Sequence, residues 1–247
     1  MQFPVYLGIG PWQAHPHFVF ESLGYAIALR LLLRQVRSHD TIRPSQRSSV
    51  IIGGLVGALL GAKALVLLQH LNLLWQDWSQ WLWLIPQGKT VVGALLGGWL
   101  GVEVTKAHIG VTQSTGDAFV LPLIAGTAIG RIGCFLTGLS DRTYGIATTL
   151  PWGVDFGDGI ARHPTQLYEV IFLASLALFL HGYQRCSPTT GNGFKLYLIA
   201  YKIFRFGNDF LKPDFHPWLG FSDIQQACLV GLGFALRQLA PRLSTLR

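Results

Sequence analysis

The chain has 247 residues, of which 50% are hydrophobic and only 13% are charged, and its formal net charge is +7. Because soluble domains carry about 25% charged residues, this composition excludes an ordinary soluble protein and predicts a membrane protein. The basic residues are scattered between apolar segments and form no block interleaved with aromatic residues, which argues against a nucleic-acid partner.

The three cysteines predict neither a metal centre nor a disulfide framework. Cys134, Cys186 and Cys228 are odd in number and too widely separated for the usual spacings of metal ligands. We therefore expect no metal and no cofactor, and we interpret Cys134 as a small packing residue. No linker, repeat or change of composition divides the chain, so residues 1–247 are predicted to form a single membrane domain.

Seven apolar stretches approach the length of about 20 residues that a membrane helix needs. They predict an all-α, polytopic fold with about seven transmembrane helices. The predicted spans are Phe18–Leu33, Val50–Leu68, Thr90–Thr105, Ala118–Leu136, Gln166–Gly182, Phe194–Phe210 and Phe221–Leu239. Ten lysines and arginines flank one side of these spans and four flank the other. Because such residues prefer cytoplasmic loops, we expect the N-terminus outside and the C-terminus in the cytoplasm.

Two features of composition predict how these spans are arranged. The tryptophans Trp75, Trp78, Trp81 and Trp83 crowd the segment 74–86, which we interpret as a helix lying on the outer surface of the membrane. Glycines recur at intervals of four in the second, third and fourth spans and predict close packing of these spans with one another. They are Gly53, Gly57, Gly61, Gly93, Gly97, Gly101, Gly126 and Gly130.

A polar motif at the start of the fifth span is the first candidate for a functional site. Residues 162–169 read Arg-His-Pro-Thr-Gln-Leu-Tyr-Glu, and an apolar run follows them. Pro164 suits the first turn of a helix, where its missing N–H is not needed, and Glu169 lies about one turn inside. An ionisable residue at this depth is costly and usually functional. The preceding loop, residues 138–163, is either a cover over a site or a flexible connection.

A second set of ionisable residues lies in the fourth and sixth spans. Arg131 belongs to the segment Gly-Arg-Ile-Gly-Cys-Phe at 130–135, where small neighbours leave space around its side chain. Tyr201, Arg205 and Asp209 follow one another at intervals of four and therefore share one helix face. Guanidinium groups bind phosphate through two parallel hydrogen bonds, so the two arginines predict a site for an anionic lipid headgroup. A structural network of arginines and carboxylates is the alternative.

These motifs resemble the prolipoprotein diacylglyceryl transferase family. The similarity is carried by residues 130–135, residues 162–169 and the pattern Tyr201-x-x-Phe204-Arg205-x-x-x-Asp209. The resemblance implies a multi-pass protein of the bacterial cytoplasmic (inner) membrane that transfers a diacylglyceryl group from phosphatidylglycerol and releases glycerol phosphate. The implied acceptor is the lipobox cysteine thiol of a prolipoprotein signal peptide. The implied partners are thus this peptide, phosphatidylglycerol and membrane lipid, without a cofactor.

The resemblance also implies roles for individual residues. Those expected to bind substrate are Arg131, Gly130, Gly133, Gln166, Tyr168 and Asp209. Those expected to take part in catalysis are His163, Glu169, Tyr201 and Arg205. The family's histidine at the start of the third span is absent here, where Val92 stands, and Cys134 replaces a signature asparagine. His163 is then the candidate general base, because the pKa of histidine lies near neutrality, and Glu169 is the alternative.

Three other functions remain open at this point. The first is a related membrane enzyme that uses the same lipid with a different acceptor. The second is a transferase-like protein without catalysis that binds anionic lipid or lipoprotein precursors. The third is a transporter, which charged residues inside the membrane suggest, although the chain lacks the repeat symmetry and paired interrupted helices of many transporters.

Overall fold

The computed structural model describes residues 3–10, 12–38, 42–70, 90–186, 191–213 and 220–243. Seven α-helices lie in this part of the chain, and each coincides with one predicted span. They are α1 (Pro16–Ser38), α2 (Pro44–Gln69), α3 (Val91–Ile109), α4 (Asp117–Thr137), α5 (Thr165–Cys186), α6 (Asn192–Asp209) and α7 (Asp223–Leu243). The segment 74–86, predicted as a surface helix, lies outside the described residues.

Two short hairpins accompany the helices of this mostly helical chain. They are β1 (Leu7–Ile9) with β2 (Trp12–Ala14), and β3 (Val154–Asp155) with β4 (Ala161–Arg162), both antiparallel. The β3–β4 turn is stabilised by Asp155, whose Oδ1 accepts hydrogen bonds from the N–H groups of Gly157 and Gly159. The loop 138–163 therefore has regular structure. Strands of two or three residues show no measurable alternation of polarity, which is why the sequence does not reveal them.

Length and composition support a membrane protein. Four of the described helices, α1, α2, α4 and α5, are long and apolar enough to cross a membrane. Many large apolar side chains on them are exposed in the isolated chain, among them Leu59 and Leu60 of α2 and Leu178 of α5. Such surfaces suit contact with lipid rather than water. These observations agree with the predicted class of mostly helical, multi-pass membrane protein.

Local sequence signals explain where several helices begin and end. α2 starts at Pro44, six residues before the predicted span, because proline is tolerated in the first turn. Thr90, predicted as the first residue of the third span, is the N-cap of α3, and its side chain accepts a hydrogen bond from the N–H of Gly93. α3 ends at Ile109 and is capped by Gly110, whose φ of 70° lies in the left-handed region.

The described residues group into two compact units. The first contains α1, α4, α5, α6 and both hairpins, and the second contains α2, α3 and α7. In the first unit, α4 packs against α1, α5 and α6, so it is the central helix. In the second unit, α2 and α3 form the dominant helix pair.

The predicted glycine faces bring α2 and α3 into backbone contact. A Cβ atom added to Gly57 would collide with the carbonyl oxygen of Gly97, and one added to Gly97 would lie 2.7 Å from the Cα of Gly61. The prediction is therefore confirmed for the second and third spans. In the fourth span, however, Gly126 faces α1, where a Cβ on Gly24 would lie 2.9 Å from its carbonyl oxygen.

We expect Gly97→Leu to separate α2 from α3, because the new side chain has no space at a backbone-to-backbone contact. Overpacking of this kind costs about 1–3 kcal/mol or more, which thermal unfolding of the detergent-solubilised protein would detect. Gly182→Ala in α5 is the control, because its added Cβ meets nothing within 4 Å. Equal thermal midpoints for the two variants would contradict the close packing of α2 and α3.

Candidate functional site

The motif at 162–169 positions its polar residues where α5 begins. Pro164 lies just before the helix rather than inside its first turn, and its carbonyl oxygen accepts the first helical hydrogen bonds. Thr165 and Gln166 are buried and anchor the preceding loop: both side chains donate hydrogen bonds to Thr143, at 2.6 and 3.1 Å respectively. These two bonds tie the first part of the loop 138–163 to the start of α5.

Glu169 is the centre at which the predicted motifs meet. One carboxylate oxygen lies 2.9 Å from Nε of Arg131 and 3.8 Å from Nη1 of Arg205. The other accepts a hydrogen bond of 2.7 Å from the hydroxyl of Tyr201. Nη2 of Arg205 in turn donates to Asp209 at 3.1 Å. The shared helix face of Tyr201, Arg205 and Asp209 is confirmed, and these residues form one cluster with Arg131 and Glu169.

Packing between α5 and α6 holds this cluster in register. One turn after Glu169, the ring of Phe172 stacks on that of Phe204, with centroids 4.1 Å apart and planes 8° from parallel. Phe204 directly precedes Arg205, so the stack fixes the height of the guanidinium group relative to the carboxylate. Glu169 and Arg205 are consequently 1% and 4% exposed. Ions this deeply buried are costly unless they are paired.

The charge of the cluster is tuned by Lys212, which follows α6. Burial, together with the positive charges of Arg205 and Arg131, lowers the pKa of Lys212 to about 7. When Lys212 is protonated, three cationic groups face the carboxylates of Glu169 and Asp209. The cluster then carries an excess of positive charge, which favours an anionic ligand.

Several buried polar atoms of the first unit lack hydrogen-bond partners among the described residues. They are Nε of Arg131, Nη1 of Arg205, Oε1 of Gln166, Nδ2 of Asn208 and the hydroxyl of Tyr197. Arg131 Nε is close to Glu169 but is not aimed at it as a hydrogen-bond donor. Because buried polar groups in proteins are normally satisfied, the N–H and O–H donors among these atoms offer binding capacity to a ligand rich in oxygen.

His163 and Tyr168 form a separate group on the loop side of α5. Nδ1 of His163 lies 3.0 Å from the Tyr168 hydroxyl, which accepts a hydrogen bond of 2.9 Å from Nε1 of Trp152. Trp152 belongs to the loop and is 55% exposed. The structure therefore joins two of the predicted site residues to each other and to the loop, and their hydrogen bonds do not extend to Glu169.

The glycines beside Arg131 have two different surroundings. A Cβ added to Gly130 would meet nothing within 4 Å, which agrees with the predicted open space. Gly133 is instead a helix contact, since its added Cβ would lie 2.7 Å from the Cβ of Phe20 on α1. The role of Gly133 is therefore to let α1 approach α4 closely.

Sequence reasoning missed two parts of this region. Tyr197 precedes Tyr201 by four residues, so the interval that links Tyr201, Arg205 and Asp209 also predicts its place on the same face. The second is a cluster of His17, Cys134 and Asp141. No spacing in the sequence indicates it, because His17 lies on α1, far from the other two.

Known proteins are similar to nearly the whole chain. A family model described as prolipoprotein diacylglyceryl transferase matches residues 4–240. A phosphatidylglycerol–prolipoprotein diacylglyceryl transferase of Glaesserella parasuis serovar 5 is 32% identical over 226 residues, which cover 87% of this chain and 81% of that protein. One of Clostridium tetani is 35% identical over 175 residues, 67% of this chain and 68% of its own. The chain belongs to the prolipoprotein diacylglyceryl transferase family.

Proposed function

We propose that this protein transfers a diacylglyceryl group from phosphatidylglycerol to the lipobox cysteine thiol of a prolipoprotein. Family membership supplies the reaction class. The observation that carries the proposal for this chain is the convergence of Arg131 and Arg205 on Glu169, beside donors that lack partners among the described residues. A buried site with two guanidinium groups, which is net positive when Lys212 is protonated, suits the phosphate of a lipid headgroup.

The reaction needs an activated sulfur and a stabilised leaving group. The thiolate sulfur forms a bond to the glycerol carbon of the lipid, the bond from that carbon to the phosphate oxygen breaks, and glycerol phosphate leaves with the electron pair. Arg131 and Arg205 stabilise the charge on the departing phosphate. Glu169 and Asp209 hold the two guanidinium groups in position. Tyr201, whose hydroxyl donates to Glu169, orients that carboxylate.

His163 is the proposed acceptor of the thiol proton. It is half-buried at the boundary between the loop and α5, and its Nδ1 is held by the Tyr168 hydroxyl. This contact would orient the ring and leave Nε2 for the substrate. Gln166 and Tyr168 are proposed to contact the substrates from the same end of α5. Gly130 leaves open space beside Arg131 for the lipid.

We further propose that all seven helices cross the bacterial cytoplasmic (inner) membrane as one domain, with the N-terminus outside and the C-terminus in the cytoplasm. The support is the ten-to-four distribution of lysine and arginine between the two sides. Reporter proteins fused after residue 38 and at the C-terminus should then report the cytoplasm. A cytoplasmic location of the loop 138–163 would contradict this orientation.

A transfer assay tests the proposed function directly. Purified protein is mixed with phosphatidylglycerol labelled in its acyl chains and with a lipobox peptide, and label on the peptide is measured. A peptide with serine in place of the cysteine is the control, because its hydroxyl is a far poorer nucleophile at neutral pH. Lipid binding without label transfer would favour a binding protein, and label on a different acceptor would favour a related enzyme.

We expect phosphatidylglycerol binding to weaken as pH rises above about 7. The pKa of Lys212 is about 7 in the free protein, where Arg131, Arg205, Glu169 and Asp209 surround it. A bound phosphate raises this pKa, so binding takes up a proton above pH 7 and affinity falls by up to tenfold per pH unit. Below about pH 7, Lys212 is protonated in both the free and the lipid-bound protein, so the affinity no longer changes with pH.

Two variants of Lys212 check this assignment by equilibrium binding between about pH 6 and pH 9. Lys212→Arg keeps its charge throughout, so its affinity should stay constant across the range. Lys212→Met should also show constant affinity, but at a weaker level. A parental pH dependence in Lys212→Met would assign the titration to another group.

A further inference from the structure

A cluster of three metal-ligating side chains lies outside the Glu169 site. His17 comes from α1, Cys134 from α4, and Asp141 from the short 3₁₀ helix after α4. Nδ1 of His17 lies 3.0 Å from Oδ1 of Asp141 and 4.0 Å from Sγ of Cys134. One donor atom from each residue lies within 4.8 Å of both others.

These separations fit the first coordination sphere of a small divalent cation. Zinc binds nitrogen and oxygen at about 2.0–2.2 Å and sulfur at about 2.3 Å in a tetrahedron. Tetrahedral angles then separate nitrogen from oxygen by about 3.4 Å and nitrogen from sulfur by about 3.6 Å. The two distances from Nδ1 of His17 differ from these values by about 0.4 Å each, and the carboxylate oxygen lies within 4.8 Å of the sulfur.

Neighbouring groups hold the three side chains in the orientation that metal binding requires. Nε2 of His17, the nitrogen on the far side of the ring, lies 3.3 Å from the carboxylate of Glu21. Tyr25 donates a hydrogen bond of 2.7 Å to Glu21, and Thr143 donates to the second oxygen of Asp141. Metal-ligating histidines commonly donate their other N–H to a carboxylate in this way.

We propose that His17, Cys134 and Asp141 bind a divalent cation of the zinc class. The mixture of one sulfur, one nitrogen and one oxygen donor selects the kind of ion. A thiolate suits zinc and other soft transition metals, whereas magnesium and calcium prefer oxygen donors alone. Cys134 is 8% exposed and the side chain of Asp141 is 10% exposed, whereas that of His17 is 31% exposed, so the cation would lie at the edge of the protein interior with one side open.

The proposed site also suggests which ligand the cation would take. Three protein ligands leave a fourth tetrahedral position open, as in catalytic zinc sites. A thiol that enters this position would be bound as thiolate, with its proton passed to the proposed base, His163. Cys134 lies one helical turn beyond Arg131 on α4, so the open position is near the lipid site. We infer that it takes the acceptor cysteine, an inference that rests on the proposed function.

Metal content and cobalt spectroscopy test the site without any assay of transfer. The full-length protein, purified in detergent and supplied with zinc, should retain about one zinc per chain after gel filtration. Cobalt(II) in place of zinc should give the visible bands of a tetrahedral ion and a sulfur-to-cobalt charge-transfer band. Addition of a lipobox peptide should strengthen that charge-transfer band, whereas a serine peptide should not.

Matched variants separate a built site from adventitious binding. Cys134→Ser should lose the charge-transfer band and bind zinc more weakly than any variant outside the cluster. Glu21→Gln should keep the band but bind zinc about 10- to 100-fold more weakly, as expected for a group that only orients the histidine. Cys228→Ser is the control, because Cys228 is also a buried cysteine but lies on α7 in the second unit.

The structural alternative is a protonated His17 held between the carboxylates of Asp141 and Glu21. That arrangement predicts no stoichiometric zinc and no cobalt band in the parent protein, and either result would overturn the metal site. Equal zinc affinity in Cys134→Ser and the parent would do the same. Zinc binding without a response to the lipobox peptide would retain the metal site and reject its role as the thiol site.

Discussion

Arg131→Met is expected to abolish phosphatidylglycerol binding and transfer, and also to destabilise the fold. Removing this arginine leaves the buried Glu169 carboxylate with Arg205 at 3.8 Å as its remaining cationic neighbour within 4 Å among the described residues. Breaking a buried ion pair on one side costs about 3–5 kcal/mol. Lipid binding, transfer and the thermal midpoint in detergent should therefore all fall together.

A double variant separates the two roles of Arg131. Arg131→Met combined with Glu169→Gln removes both charges of the closest pair, so much of the lost stability should return. If Arg131 also contacts the headgroup, lipid binding should remain lost in this stable protein. Recovery of phosphatidylglycerol binding would show that Arg131 serves only to neutralise Glu169, as the alternative of a structural network predicts.

Arg131→Lys tests the geometry of the contact. Lysine preserves the positive charge but cannot form two parallel hydrogen bonds to one phosphate. We expect it to restore much of the stability and little of the transfer activity. Full activity in this variant would indicate that charge alone is needed at this position.

His163→Gln is expected to reduce turnover by about 10²- to 10⁴-fold, the usual contribution of a general base, while lipid binding is retained. Glutamine can still hydrogen-bond the Tyr168 hydroxyl, which lies 3.0 Å from Nδ1 of His163, but it cannot accept the thiol proton at neutral pH. Single-turnover transfer measured at saturating phosphatidylglycerol would isolate this step. Near-parental turnover would reject His163 as the base and favour Glu169.

Tyr168→Phe is the matched control for His163. The change removes the hydroxyl that joins His163 to Trp152 but keeps the ring and the imidazole. If His163 is the base, this variant should lose far less activity than His163→Gln, because the proton acceptor remains. Equal losses in the two variants would assign His163 a structural role at the start of α5.

The helices of this protein were predictable because their signals are local. A run of about 20 apolar residues must satisfy its own backbone hydrogen bonds in lipid, so each run becomes a helix whatever its neighbours are. Spacing of four residues likewise placed Tyr201, Arg205 and Asp209 on one face before any packing was known. The glycine intervals of α2 and α3 predicted their contact for the same reason.

Only the tertiary structure identifies which residues the glycine and arginine faces contact. Gly126 follows the same spacing of four residues as the other glycines, yet it contacts α1. A helix face made of small residues can pack closely against any other helix that also has small residues at the contact. Arg131 and Arg205 suggested a lipid headgroup site, but both also meet Glu169, which only the packing of α4, α5 and α6 reveals. Which partner a helix face contacts depends on how the helix is rotated and how far it lies from its neighbours. Both are set by all the contacts in the unit together, not by the local sequence.

The sequence by itself determined the membrane class, the positions of the helices and the polar face of α6. Only the tertiary structure decided that Cys134, interpreted as a packing residue without metal spacing, lies beside His17 and Asp141. His17 is 117 residues from Cys134 along the chain. Ligands from separate helices leave no pattern in sequence, because their convergence is produced by the close approach of α1 to α4 at Gly24, Gly126 and Gly133.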